Sequence, residues 1–512
     1  MSVTTQPKIQ LHIGDPGITL MHRAGIAGLW MTLEQLQQEY PEPSTRAGKI
    51  SWSLAPRSIS LDWEGEDFEV LDWLFKQSFQ ISEEGLISLT GLKPSKMDLQ
   101  TRVTVHRGMR GTFVQHPSAF KSAGEQTQSL QIDEDSPEIV VRYKKAASYA
   151  HQNFAKNLCD KKGKLHQKPI SIAGWMNPGA AVRHVAFSSQ TGLQETPQRV
   201  LALLFAPVAC QYFLLSSRLR EKRAQYALIV PEVTDLEKYT RRRRMFANFG
   251  YKNFCASSLG DAGLKFLTYE TTMELASKTK IERCQVVILG TVAWSSQQRT
   301  RTDIENVAIN DKIFRNYKIS QNELSDRVVE GSSGNFVARS FAREIIADNL
   351  AQNRSWFHGI SDKAGSQELF QRLAYEGGGL YQMVQKVEWD NERQQIFVKA
   401  CHEALRKIYA QVYDRTKEGE YAQIERERER IRTGLGRCKN AETFRQFITD
   451  FWSRAGRISV LQDSWPDLLP LITSKEHWKE ARDLALLALA SYRNPNSNKP
   501  SSESEDEEEV FN

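Results

Sequence analysis

Two cysteines spaced as C-x₂-C do not occur in this 512-residue chain, and its six cysteines, Cys159, Cys210, Cys255, Cys284, Cys401 and Cys438, are scattered through it. Neither a zinc ribbon nor a dithiol redox site is therefore expected, and no metal or other cofactor is implied. No secretory leader is recognisable, which with the sparse cysteines points to a reducing, cytoplasmic setting. Long apolar runs are scarce as well. The longest, Val200–Leu215, would span about 24 Å as a helix, short of a bilayer core of roughly 30 Å, and Pro207 interrupts it. It reads as buried core, not as a membrane span. The ten histidines form no H-E-x-x-H pattern, no G-x-S-x-G elbow is present, and Gly260-Asp261-Ala262-Gly263 lacks the Lys-Ser/Thr of a phosphate loop. No catalytic residue is nominated.

What the chain does have is positive charge. The formal net charge is +6, yet residues 501–512 carry six acids (Glu503, Glu505, Asp506, Glu507, Glu508, Glu509) and no base, leaving +12 on residues 1–500. Such a body favours polyanion partners. A length of 512 residues exceeds one hydrophobic core, and the composition divides it. The expected class is α+β: an N-terminal mixed α/β region of one or two domains, then a C-terminal α-helical bundle. The boundaries expected are 1–135, 136–358, 359–494 and a disordered acidic tail over 495–512. Helical spacing predicts a helix over 18–36, and alternation predicts strands over 50–54, 59–63, 86–89 and 101–105. Residues 115–137 read as a polar surface connection. Beyond them, strands are expected at 138–143, 182–187, 227–230 and 285–291, with helices at 197–204, 235–239 and 260–276. Further helices are expected at 366–375, about 25 residues around 396–412, 421–432, 441–455 and 475–492. Gly377-Gly378-Gly379 reads as a flexible link.

Three stretches concentrate the charge. Residues 141–168 hold eight bases, Lys144, Lys145, Lys161, Lys162 and Lys164 among them, against the single acid Asp160. Lysines supply salt-dependent attraction to phosphates, and the interleaved Tyr143, Tyr149 and Phe154 could stack on unpaired bases. Arg241, Arg242, Arg243 and Arg244, followed by Lys252 and Asn253, form the second stretch. Four adjacent arginines repel one another, and arginine is rarely buried unpaired, so a polyanion is the expected partner. In the third, residues 426–457, alternating signs over 425–432 suit ion pairs along a helix, leaving Arg437, Lys439, Arg445, Arg454 and Arg457 as the better strand contacts.

The wording of several blocks is more distinctive than their composition. Ile172-Ala-Gly-Trp-Met-Asn-Pro-Gly-Ala-Ala-Val-Arg-His-Val-Ala-Phe-Ser-Ser, the following Glu195-Thr-Pro and Leu201-Ala-Leu-Leu-Phe-Ala-Pro-Val-Ala-Cys-Gln-Tyr-Phe, the early His22-Arg-Ala-Gly-Ile-Ala-Gly-Leu-Trp-Met-Thr-Leu and the later Ser257-Ser-Leu-Gly-Asp-Ala-Gly-Leu together resemble one family. It is the "Cas eight" large subunit of the type I CRISPR effector complex, Cascade, in its subtype I-A and I-B branch. The resemblance implies a non-catalytic DNA-binding subunit that recognises the protospacer-adjacent motif and stabilises the R-loop, in CRISPR defence or in CRISPR-guided transposition. Base pairing to the guide then supplies target specificity. It also implies partners: crRNA, double-stranded target DNA with its displaced strand, and the backbone, 5′-handle and small subunits, with a recruited nuclease-helicase or transposition proteins beyond them. A C-terminal bundle resembling the small subunit is part of that pattern, and Met383 is a candidate internal start for a separate product. For motif reading, the loop bearing Trp175, Asn177, Gly179 and Arg183 is the nominated site, with a buried structural turn as its plain alternative. Two other classes remain: a metal-dependent nuclease or repeat-RNA processing enzyme, and a DNA-binding transcriptional or developmental regulator.

Overall fold

The computed structural model describes residues 7–114, 119–172, 176–177, 193–215, 225–269, 272, 278, 282–294, 297–331, 334–415 and 421–493, without the side chains of 289–302, 415 and 421. They fall into two compact units, Met1–Ser216 with Lys222–Asn310 and Arg327–Ala338, and Ser217–Glu221 with Asp311–Asp326 and Arg339–Asn512.

The first unit is mixed α/β. Strands β1 (Ile9–His12), β2 (Ser51–Leu54) and β3 (Ser58–Asp62) form an antiparallel sheet ordered β1-β3-β2, with α1 (Leu20–Glu39) between β1 and β2 and α2 (Asp67–Ser78) after β3. A short hairpin, β4 (Phe79–Ile81) and β5 (Ile87–Leu89), leads to α3 (Leu99–Gly111) and then to a long hairpin, β6 (Phe120–Leu130) and β7 (Ile139–Tyr149). Next come α4 (Pro197–Ala209), β8 (Gln211–Leu215), β9 (Gln225–Pro231), α5 (Leu236–Arg244), β10 (Cys255–Ala256), α6 (Leu259–Thr268), β11 (Arg283–Trp294) and β12 (Gln297–Ala308). These last five strands make one sheet ordered β10-β8-β9-β11-β12, antiparallel except between β8 and β10.

The apolar run at 200–215 is interior, as expected, but it is a helix and then a strand. Pro207 sits in the last turn of α4, where its missing N–H costs one ladder bond, and Cys210 N closes the helix on Ala206 O at 2.9 Å. Helix α4 lies against α1 backbone to backbone. A Cβ on Gly25 would stand 2.0 Å from Ala202 O, and one on Gly28 2.0 Å from Phe205 O. Glycine is required at both positions for this close approach.

Two sequence expectations change, and a third lies outside the described residues. Residues 101–105 are helical within α3, not a strand. Alternation over five residues suits either element, and the Asp98 side chain, accepting from Thr101 N at 2.6 Å, caps the helix and decides it. The polar stretch expected as a connection contains β6, whose residues are almost all exposed. It lacks an apolar pattern because little covers it. Strand 182–187 lies outside the described residues.

The second unit is helical: α7 (Asp311–Glu323), α8 (Phe341–Ala351), α9 (Gln367–Tyr375), α10 (Gly377–Lys386), α11 (Glu392–Arg415), α12 (Tyr421–Arg437), α13 (Ala441–Ala455), α14 (Ser459–Thr473) and α15 (Trp478–Ser491). Every residue of α15 from Ala481 to Ser491 is buried, and α9 to α14 pack around it. A helix apolar on all sides belongs in such a centre. The triple glycine is not a link but the first turn of α10. A Cβ on Gly377 would meet Ala490 O at 2.7 Å and one on Gly379 would meet Glu323 O at 2.3 Å. Helix α14 has no counterpart in the sequence reading, since Pro466 and Pro470 disguise it. Glu403 of α11 caps it, accepting from Ser459 N at 3.0 Å and Val460 N at 3.1 Å, and these donors help hold its carboxyl at about 2. An N-terminal mixed α/β region thus precedes a C-terminal helical bundle, the α+β class expected.

Replacing Gly25 with valine forces α1 and α4 apart. The expected cost is roughly 2–3 kcal/mol, or a fall in Tm of about 5–10 °C. Calorimetry of the Gly25→Val chain checks this, and an unchanged Tm would refute the tight contact.

Candidate nucleic-acid interface

Strand β7 sorts its residues by alternation. Ile139, Val141 and Tyr143 join a core with Leu86, Val103, Leu130 and Tyr251, while Val140, Arg142 and Lys144 face outward and are exposed. The backbone behind those cations is pinned. His106 of α3 accepts from Ile87 N at 3.0 Å through Nδ1, which leaves Nε2–H to donate to Lys144 O at 2.8 Å. Burial pushes the His106 pKa down to about 4, so the ring is neutral, as that pair of bonds requires. Ala146 N donates to Gly85 O at 2.8 Å and the Tyr143 hydroxyl to Glu84 O at 3.2 Å.

Further along, Lys161-Lys162-Gly163-Lys164 forms a tight turn. The Asp160 carboxylate accepts from Lys162 N at 2.8 Å and Lys164 N at 3.0 Å, and these bonds lower its pKa. Gly163 has φ of 73°, a left-handed conformation that a side chain would strain. Helix α2 holds the turn from behind: Phe68 N donates to Gly163 O at 3.0 Å and Leu165 N to Asp67 Oδ2 at 2.9 Å. Lys156, Lys161, Lys162, Lys164 and Lys168 are exposed, and Lys145 is half-buried. No carboxylate pairs with any of these lysines or with Lys144 among the described residues. The interleaved aromatics behave differently from expectation. Tyr143, Tyr149 and Phe154 are buried and offer no stacking face. The exposed ring beside the turn is Phe68, which sequence reading passed over, since nothing in the order of residues brings position 68 to 163.

The arginine tetrad is dismantled by helix geometry. At about 100° per residue, four consecutive side chains of α5 point to different sides. Arg241 is exposed and pairs with Glu237, and Arg244 pairs with Glu34. Arg242 and Arg243 are buried, which overturns the expectation of surface positions for them. Arg242 donates to Phe266 O at 3.0 Å and to Tyr269 O, and Arg243 donates to Cys210 O at 3.1 Å. Carbonyls substitute for the carboxylate that a buried guanidinium was expected to need. Lys252 pairs with Asp133 at 2.8 Å, and the exposed Asn253 donates to Phe249 O at 2.7 Å.

In the nominated motif loop, Asn177 is buried at 7% exposure, while Trp175, Gly179 and Arg183 lie outside the described residues. On the helical unit, α12 carries the expected i to i+3 pairs, Arg428–Glu425, Arg430–Glu427 and Arg432–Glu429. Arg437, Lys439 and Arg445 are exposed with no carboxylate partner among the described residues. Arg457 is exposed and donates to Gln462 Oε1 at 2.9 Å, whereas Arg454 is half-buried against Glu427. The interface candidates therefore reduce to the 142–168 surface on one unit and Arg437, Lys439, Arg445 and Arg457 on the other. Among the described residues, no three histidine, cysteine, aspartate or glutamate side chains are grouped to hold a metal ion, and no helix is long and apolar enough to cross a membrane.

Residues 10–204 match the DevT N-terminal domain and residues 385–512 the DevT C-terminal domain. The chain is 27% identical over 521 residues to a protein of Myxococcus xanthus (strain DK1622) called CRISPR-associated protein Cas8a1/Csx13, covering 95% of this chain and 88% of that one.

Arg243→Ala should cost roughly 3 kcal/mol, because it opens a cavity and strands the Cys210 carbonyl, while Arg241→Ala should be nearly neutral. Denaturant titration of the two variants separates them, and equal midpoints would mean that Arg243 is not buried. The second expectation concerns pH. An unfolded histidine titrates near 6.5 and His106 near 4, so the unfolded chain takes up the proton first as pH falls. The stability His106 provides is complete above 6.5 and is lost between 6.5 and 4. The gap between the native chain and His106→Gln should narrow by about 2 kcal/mol from pH 7.5 to pH 5. A constant gap would contradict the buried neutral ring.

Proposed function

From a chain that belongs to the Cas8 family of CRISPR-associated large subunits, we propose a DNA-contacting role inside a crRNA-guided complex, with motif recognition in duplex DNA and support of the R-loop as its two tasks. The observation that carries this reading is the 142–168 surface. Its lysines, all exposed but the half-buried Lys145, lack carboxylate partners among the described residues, and they stand on backbone anchored by His106, Asp160 and Asp67. Cations held this way meet phosphates without first breaking a protein ion pair. They release counterions as they do so, which makes the contact salt-dependent and blind to sequence.

On this proposal the guide RNA reads the target, and the large subunit supplies backbone attraction and a short motif check. Exposed Arg437, Lys439, Arg445 and Arg457 would hold the displaced strand on the helical unit. Asn177 is buried, so its part in motif reading would need Trp175 or Arg183 beside it to reach the groove. The proposed role is binding without chemistry of the chain's own, in the cytoplasm, with crRNA and the other Cascade subunits as partners. A separate product starting at Met383 would begin inside α10 and keep α11 to α15 whole.

Lys161→Ala, Lys162→Ala and Lys164→Ala combined should leave Tm unchanged, because all three side chains are exposed. The triple variant should weaken duplex DNA binding and flatten log K against log salt by about 2–3 units. Anisotropy titrations at several salt concentrations measure both. Unaltered affinity and slope would remove this surface from the interface.

A further inference from the structure

Helix α11 carries two cations that nothing above uses. Lys399 and Arg406 are exposed and stand one heptad apart, about 10.5 Å along the axis and nearly in line. Neither has a carboxylate partner among the described residues. The nearest acid on their own helix, Glu403, is committed to Lys407 and to the N-terminus of α14. The last described residues leave the unit beside this face. The Tyr492 ring lies 5.3 Å from that of Tyr409 and 6.1 Å from that of His402, Arg406 acts electrostatically on the Tyr492 hydroxyl, and Arg493 is exposed.

Six acids follow within residues 503–509. Nine residues lie between Arg493 and Glu503, and the ten steps reach at most roughly 33–36 Å. The acidic run is therefore tethered within reach of the Lys399–Arg406 face. Exposed ion pairs are individually weak, but tethering raises the effective concentration to the millimolar range, where weak pairs become occupied. The charge signs are complementary, and the match to the DevT C-terminal domain runs through residue 512, so the run belongs to the matched region.

We propose that residues 503–509 seat on the Lys399–Arg406 face of α11 and shield it from other polyanions. The seat stands on charge and tether length alone, whereas the shielding of a nucleic-acid strand rests on the function proposed above.

The full chain without nucleic acid, coupled with a zero-length carbodiimide at low salt and digested for mass spectrometry, tests the seat. Tail carboxylates should join Lys399 in preference to Lys161 and Lys162, which are exposed as well. Arg406→Glu should lower that product about five-fold and Arg406→Lys should retain it, with Tm reporting that both variants fold. Coupling to Lys399 no greater than to Lys161, or insensitive to Arg406→Glu, overturns the proposal. A second measurement tests the shielding. With the six acids changed to Gln and Asn, oligothymidine should bind about ten-fold more tightly at low salt, the gap closing as salt rises. Preferred coupling to Lys399 with unchanged oligothymidine affinity upholds the seat and overturns the shielding, so failure of the seat and failure of nucleic-acid binding at this face give different results.

Discussion

The first unit depends on how closely α1 and α4 approach. With no Cβ at Gly25 or Gly28, the helices meet through backbone atoms, and α4 is held where its last turn must hand over to β8. That junction exposes carbonyls with no helical partner. The Tyr239 hydroxyl donates to Ala209 O, the Tyr212 hydroxyl to Pro207 O at 3.0 Å, and Arg243 to Cys210 O. A cation at a helix C-terminus also suits the helix dipole. Half of the arginine tetrad is thus consumed in closing the fold, and the sheet that begins at β8 inherits its position from two glycines far upstream.

The same economy explains which charges remain for a partner. Every lysine of 156–168 is on the surface because a solvated ammonium is costly to bury, while the preceding aromatics Tyr143, Tyr149 and Phe154 supply apolar area that fixes the backbone. His106 links these two roles. It is neutral because it is buried, and being neutral it can accept from Ile87 and donate to Lys144 within one plane. The cationic face of β7 is therefore supported by an uncharged ring directly behind it.

On the helical unit the organising constraint is α15, buried along most of its length. Helices α9 to α14 pack around it, and their charged faces turn outward by exclusion. Where opposite signs alternate, as on α12, they cancel in pairs, and where they do not, as at Arg437, Lys439, Arg445 and along α11, cation is left over. The distribution of leftover charge, more than the total, marks where a polyanion can lie.

Much of this was legible from the order of residues. Periodicity located α1, α11, α13 and α15, alternation located β2, β3 and β7, and charge density pointed to 141–168. Local signals failed where a distant partner decides. Residues 101–105 are the exception, helical because the nearby Asp98 caps them, but β6 is a strand because β7 pairs with it, and α14 survives two prolines because Glu403 caps its start and Leu468, Leu471 and Ile472 are buried. Burial of Arg242 and Arg243 was illegible for the same reason, since the carbonyls that accept from them come from Phe266, Tyr269 and Cys210, far along the chain. Sequence alone determined class, charge and family, because these follow from local pattern and composition. Which cations face outward was settled only by tertiary structure, because a guanidinium goes inside when folding brings carbonyls to it and stays outside when it does not.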